Sequence, residues 1–267
     1  MHYYTIQPSE QLKPYVRCFW VLEHELGEGE SYVYRSIADG CAEMVFHYQT
    51  NFDEISGDNR QETSLSGMQF QTTHYRRFVA KASFGIFGAY IYPFAVPYFF
   101  KVPASETSNL ALDYDTFLGY CGQELEERIM LAADNNERAK ILDLFLRNRL
   151  GNTPLKDDRI ITSIRRLIHS NINPTVSQLA DTYNLSVRQF DRKFKEYAGF
   201  SPKTYLRLVR LHKATQQYGT NKPLTQIAYE CGYYDQSHFI HDLKAFTGYH
   251  PSFYFSGNAE GTEYRNV

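Results

Sequence analysis

Apolar and polar positions follow two different rhythms along this chain. Up to about residue 112 the apolar runs are short, rich in aromatics and interrupted by Gly and Pro. "YVRCFWVLEHEL" alternates weakly, "AEMVFHYQT" follows the turn pair Asp39-Gly40, and "SFGIFGAYIYPFAVPYFF" is rich in aromatics and broken by Gly and Pro. Many short strands with such punctuation predict a sandwich or barrel. The polar stretch "NFDEISGDNRQETSLSG" reads as a hairpin or loop between them.

From Tyr114 the period lengthens to that of a helix. "TFLGYCGQELEERIMLAAD" and "NERAKILDLFLRNRL" are charged and leucine-rich. In the second, Leu142, Phe145, Leu146 and Leu150 fall at i, i+3, i+4 and i+8 and make one apolar stripe. Such a stripe either packs on its own domain or forms a seam between two copies. In the second case these four are the dimerisation residues. "GNTPLKDD" then reads as a linker, with Gly151 ending a helix and Pro154 preventing its resumption.

The remainder is helical and contains a repeat. Leu179-Ala180 matches Ile227-Ala228, Tyr183 matches Cys231 and Leu185 matches Tyr233 at one offset. One residue is added in the second turn. Thereafter Phe190 matches Phe239, Phe194 matches Leu243, Gly199-Phe200 matches Gly248-Tyr249, and Pro202 matches Pro251. Apolar positions and Gly/Pro punctuation stay in step together, which marks a duplicated structural unit.

Each copy reads as helix, tight turn, helix. In the first, Val176, Leu179 and Ala180 face inward, Asn184 takes the left-handed position that ends a helix, and Leu185 plugs the turn. Ser186 caps a second helix whose apolar face is Val187, Phe190, Phe194 and Tyr197. Its outward face carries Arg188, Asp191, Arg192 and Lys195. In the second copy Gly232 takes the turn and Asp235 the cap, and the outward face offers Gln236, Ser237, Ile240, His241 and Lys244. Between the copies, "SPKTYLRLVRLHKATQQY" forms one long helix started by Ser201 and Pro202.

A bihelical unit of this size is a helix-turn-helix, whose second helix enters the DNA major groove and reads bases from its N-terminal half. Arg pairs with guanine, Gln with adenine, and Ser with several edges, while further Lys and Arg hold phosphates. Two units in fixed relation would read successive major-groove segments about one helical turn apart. Charge points the same way. Residues 1–158 carry 14 basic and 22 acidic side chains, whereas residues 159–256 carry 13 and 6. An acidic body followed by a basic third suits a nucleic-acid partner for that third.

At the second unit, "LTQIAYECGYYDQSHFIHDLKAFTGYHPSFY" resembles the signature of the AraC/XylS family of transcriptional regulators, and "QLADTYNLSVRQFDRKFKEYAGFSPKTYLRLVRL" is its partner in the first. Asp191, His241 and Asp242 depart from the pattern, standing where many relatives have uncharged or basic residues. The resemblance implies a transcription regulator, an activator in many relatives, with double-stranded DNA as partner and RNA polymerase as a second one if it activates. The front of the chain resembles the N-terminal sensor domain of some members, a cupin-like barrel that binds a small effector or mediates homodimerisation. The expected fold is therefore α+β and two-domain. A cupin-like β-barrel spans 1–112, a helical dimerisation or linker region spans 113–150, and an all-α double helix-turn-helix domain spans 159–256, with units at 176–197 and 224–246.

Other classes fit less well. His238 and His241 are three apart but lack a third ligand, and His47 is followed by Tyr48 and Gln49 where a cupin enzyme has further ligands. No P-loop, Rossmann or GxSxG fingerprint occurs. Cys18, Cys41, Cys121 and Cys231 form no CxxC pair, which suits reduced thiols in the cytoplasm. Neither a signal peptide nor an apolar run of membrane-spanning length is expected. The expectation is a non-enzymatic protein without metal or cofactor. The rival reading is a cupin-like enzyme or ligand carrier with an accessory helical domain. In either reading Trp20 and the Tyr and Phe side chains of the barrel line a ligand cavity or form plain core.

Overall fold

The computed structural model describes residues 1–38, 40–56, 59–62, 66–150, 159–169, 173–217, 220 and 222–256. Among the described residues nine strands come first, β1 (His2–Ile6), β2 (Val16–His24), β3 (Tyr32–Ser36), β4 (Ala42–His47), β5 (Asp53–Ser56), β6 (Asn59–Glu62), β7 (Ser66–Gln69), β8 (Arg76–Ala80) and β9 (Phe84–Ile91), and β10 (Ala111–Leu112) follows two short helices. They form two antiparallel sheets, β1-β2-β9-β4-β7-β10 and β3-β8-β5-β6.

The expected barrel is not closed. No ladder joins the two sheets among the described residues, and the outer edge of β7 is taken by β10, returning from the helical region, rather than by β6. The result is an open two-sheet sandwich. Strand β4 shows how the pleat sorts side chains. Ala42, Met44 and Phe46 are buried on one face, while Glu43, Val45 and His47 are partly exposed on the other.

The first sheet is consequently covered on both sides. Trp20, Leu22, Phe84 and Ile86 meet Phe78 and Ala80 of the second sheet and Phe52, just before β5. On the opposite face Phe19, Val21, Met44, Phe46 and Phe87 pack against helices. "PFAVPYFF" breaks with the strand expectation, forming a 3-10 turn (Pro93–Ala95) and helix α1 (Val96–Phe100). Pro93 and Pro97 occupy first-turn helical positions, where the missing N–H has no intrahelical partner to lose.

Helices α2 (Ala104–Thr107), α3 (Tyr114–Leu118), α4 (Tyr120–Leu131) and α5 (Asn135–Leu150) follow. The stripe on α5 packs inside the protomer. Leu142, Leu146 and Leu150 are buried in the same core as Phe46, Phe87 and Tyr114, and Phe145 packs partly buried against it. Burial of that face against the first sheet and α1 withdraws these leucines from any second copy, so the dimer-seam assignment of this stripe is corrected. The "GNTPLKDD" segment, with Gly151 and Pro154, lies outside the described residues.

The C-terminal part comprises α6 (Arg159–His169), α7 (Val176–Thr182), α8 (Val187–Ala198), α9 (Pro202–Thr215), α10 (Leu224–Glu230), α11 (Gln236–Thr247) and α12 (Pro251–Tyr254). Its first half shares one continuous core with the sandwich. Ile160, Ile164, Leu179, Phe190 and Phe194 belong to the same cluster as Leu12, Tyr15 and Phe94. The second half closes a core of its own around Leu208, Leu211, Ile227, Phe239, Leu243 and Phe246.

Candidate nucleic-acid interface

The two bihelical turns are built alike. In α7–α8, Leu185 N–H donates to the Ala180 carbonyl (3.0 Å) and Asn184 N–H to that of Asp181 (3.1 Å). In α10–α11, Tyr233 N–H donates to Ala228 (3.0 Å) and Gly232 N–H to Tyr229 (3.0 Å). This crossed pair is the Schellman termination, which requires a left-handed residue at the turn. Asn184 (φ 52°) and Gly232 (φ 81°) supply it. The inserted residue of the second copy falls after this motif, so both turns keep the same geometry.

Helix α8 starts with a capping box. The Ser186 hydroxyl accepts from Gln189 N–H, and the Gln189 side chain accepts from Ser186 N–H (3.1 Å). Helix α11 starts on Asp235, whose carboxylate accepts from His238 N–H at 2.7 Å. Both helices thus begin on a side-chain cap.

On α8 the inward residues Phe190 and Phe194 are fully buried, and Arg188, Asp191, Arg192 and Lys195 are exposed together on the other side. Val187, expected inside, is 49% exposed, because its place beside the cap lies at the rim of the core. On α11, Ser237, His241 and Lys244 are exposed and Gln236 and Ile240 partly so, with the His241 side chain 76% exposed. Both outward faces are open along the chain's surface.

Three features escaped the sequence reading. Asp242, noted only as a departure from the family pattern, is fully buried and bound by Arg207 of α9. Tyr234, 92% exposed, stands immediately before the Asp235 cap, with Tyr229 exposed across the turn. Arg35, on strand β3, reaches the end of α11. An arginine one helix away from an inward-facing aspartate is a visible signal for the first. Nothing local marks the other two.

Cys231 is buried, and that burial pushes its thiol above the ordinary range, away from thiolate reactivity. Among the described residues no group of three or more His, Cys, Asp and Glu is placed to hold a metal ion. No helix among them is long and apolar enough to cross a membrane.

A second concave site lies between the sheets. This cavity of about 300 Å³ is lined by Trp20, Tyr34, Phe52 and Phe78, with Glu43, Glu54, Arg76 and His47 among its polar groups. Arg76 grips Glu54 in a two-pronged ion pair (2.8 and 2.5 Å) and also donates to the Gln69 side chain. Burial holds the His47 imidazole down at about 4, so it is neutral near pH 7.

Duplicated bihelical units with capped, outward-facing second helices define a double helix-turn-helix protein. Residues 179–257 match the family model of a helix-turn-helix domain, and residues 4–113 match that of a domain of unknown function. The chain is 30% identical over 120 residues to the transcriptional activator RhaS of an Enterobacter species, and 33% identical over 121 residues to the transcriptional regulator ArgR of Pseudomonas aeruginosa. These matches span 44% of this chain and 43% and 35% of the two relatives. These matches support an AraC-type helix-turn-helix domain in the C-terminal part of the chain. Among solved structures it is similar to ToxT of Vibrio cholerae (13% identity, TM-score 0.49, 89% of this chain and 98% of that one). It is also similar to an AraC-type DNA-binding domain from Chromobacterium violaceum (27% identity, TM-score 0.35, 38% and 92%).

Proposed function

We propose that this protein is a sequence-specific DNA-binding transcription regulator. In this reading residues 159–256 read double-stranded DNA through Arg188, Asp191, Arg192 and Lys195 of α8 and Gln236, Ser237, Ile240, His241 and Lys244 of α11. One observation supports it above the rest. Two turns of identical hydrogen-bond geometry, 48 residues apart, each lead into a capped helix with an open polar face. A solvated surface needs neither the duplication nor the rigid caps.

The sandwich, residues 1–112, serves as the sensor, with a small effector in the cavity between its sheets. Aromatic walls and a few convergent polar groups are what a small-molecule site requires. The helices of 113–150 join the two parts, and any homodimer uses a surface other than the buried α5 stripe. If the protein activates, RNA polymerase is its second macromolecular partner.

The testing experiment is selection of DNA from a random pool by the full chain, followed by quantitative binding across a salt series. Specific enrichment with affinity falling steeply as salt rises supports the reading. Absence of enrichment, or binding indifferent to salt, refutes it.

A further inference from the structure

The sandwich touches both recognition helices, at equivalent places. Gly199 and Gly248 correspond across the repeat, and each ends its recognition helix in the left-handed conformation (φ 81° and 76°). The Ser108 hydroxyl, after α2, donates to the Gly199 carbonyl at 2.9 Å, and the buried Gln71 amide donates to that hydroxyl at 3.2 Å. At the other turn, buried Arg35 donates from Nη1 to the Thr247 carbonyl at 3.1 Å. Its guanidinium lies 3.8 Å from the Tyr249 ring centroid and 4.9 Å from that of Tyr75. The Ala38 N–H adds a bond to the Phe246 carbonyl at 3.3 Å.

The fit is close at both turns. A Cβ on Gly199 would stand 2.1 Å from Gln71 Nε2, and one on Gly248 would stand 2.5 Å from Tyr75 Cζ and 2.6 Å from Arg35 Nη1. The left-handed φ favours glycine at both turns, and the missing side chain leaves room for Gln71, Tyr75 and Arg35 of the sandwich.

Between the units runs α9, whose Tyr205 and Leu206 pack with the first unit and whose Leu208 and Leu211 pack with the second. Asn173, which leads into α7, adds contact with the Gly232 turn and receives a hydrogen bond from Lys213 (3.3 Å). A shared helix sets the distance between two bodies but resists their rocking about its axis only weakly. Attachments off that axis, at the far end of each recognition helix, remove the freedom. We infer that Arg35, Tyr75, Gln71 and Ser108 are positioning residues of the sandwich that set the spacing and phase at which the two recognition helices read DNA. This rests on the DNA-binding reading and adds to it that operator geometry is measured partly by the N-terminal domain.

The clamp also adjoins the cavity. Arg35 sits between Tyr34 and Ser36, and Tyr75 precedes Arg76, all three of which line the cavity. A ligand that moves β3 or β8 therefore acts on the same staple.

The test uses the full chain and the DNA it selects, with probes in which one or two base pairs are added or removed between the two contacted segments. Each added pair rotates one segment by about 35° relative to the other. The wild type should lose about tenfold or more in affinity per inserted pair, whereas Arg35→Ala and Ser108→Ala should shrink that loss to about threefold or less. Melting and near-ultraviolet circular dichroism establish that each variant is folded. Tyr75→Ala, at a half-exposed ring, serves where Arg35→Ala does not fold. Folded variants that discriminate spacing as sharply as the wild type overturn the inference. So do variants that bind every probe more tightly with unchanged discrimination, since that marks a lock and not a ruler. A wild type that selects no DNA overturns the DNA-binding reading itself, a result distinct from either.

Discussion

Arg207 of α9 holds Asp242 of α11 through two hydrogen bonds to one carboxylate oxygen, Nε at 3.0 Å and Nη2 at 2.7 Å. Asp242 is fully buried, while the Arg207 side chain keeps 29% of its surface in water. The second recognition helix is therefore tied to the linking helix by a pair in which only one partner can return to solvent. The His238 and His241 rings stand 3.9 and 3.8 Å from the same carboxylate.

That asymmetry sets an order of effects. Arg207→Ala strands a buried carboxylate and should cost about 3 kcal/mol, whereas Asp242→Asn leaves an arginine that can turn outward and should cost about half as much. Urea denaturation of the two variants measures both. Equal costs would contradict the asymmetric burial.

The caps should matter locally. Ser186→Ala removes the acceptor for Gln189 N–H, and Asp235→Ala removes that for His238 N–H. Each should lower stability by about 1 kcal/mol. Hydrogen exchange should quicken in the first turn of the affected helix while α5 keeps its protection.

Arg192→Ala should weaken binding to the selected site by about 1–3 kcal/mol if the guanidinium pairs with a base, with discrimination lost at one base position. Lys195→Ala should weaken all sequences alike and flatten the salt dependence, as expected for a phosphate contact. Quantitative titration of single-base variants of the site separates these outcomes.

His47 gives the sandwich a pH dependence. Its folded pKa of about 4 lies below the unfolded value of 6.5, so between these values the unfolded chain binds the proton and the folded one does not. Stability should therefore be full above pH 6.5 and decline as pH falls toward 4, by up to about 3 kcal/mol from this group. Thermal melts across that range should show the decline, and His47→Gln should flatten it.

The C-terminal part was legible because its rules are local. Leu179, Phe190 and Phe194, with their repeat partners, fall at helical spacing, and Asn184, Gly232, Ser186 and Asp235 mark turns and caps by their own backbone and side-chain chemistry. The front was less so. "PFAVPYFF" has the composition of a strand, and only the first-turn placement of its prolines explains the helix. Whether ten strands close into a barrel depends on which edges pair, and β10 taking the edge of β7 is a long-range choice. The α5 stripe is an apolar face, and spacing alone does not say whether its own sheet or a second copy covers it. Arg35 is invisible as a site residue because its partners at the end of α11, Thr247 and Tyr249, lie more than 200 positions away.

The central claim is that two helix-turn-helix units read DNA together. Footprinting of the full chain on its selected site tests it most directly. The expected result is two protected segments, about one helical turn apart on one face of the duplex, with Arg192→Ala opening one and Gln236→Ala the other. A single protected segment, or protection that neither substitution changes, would contradict the account.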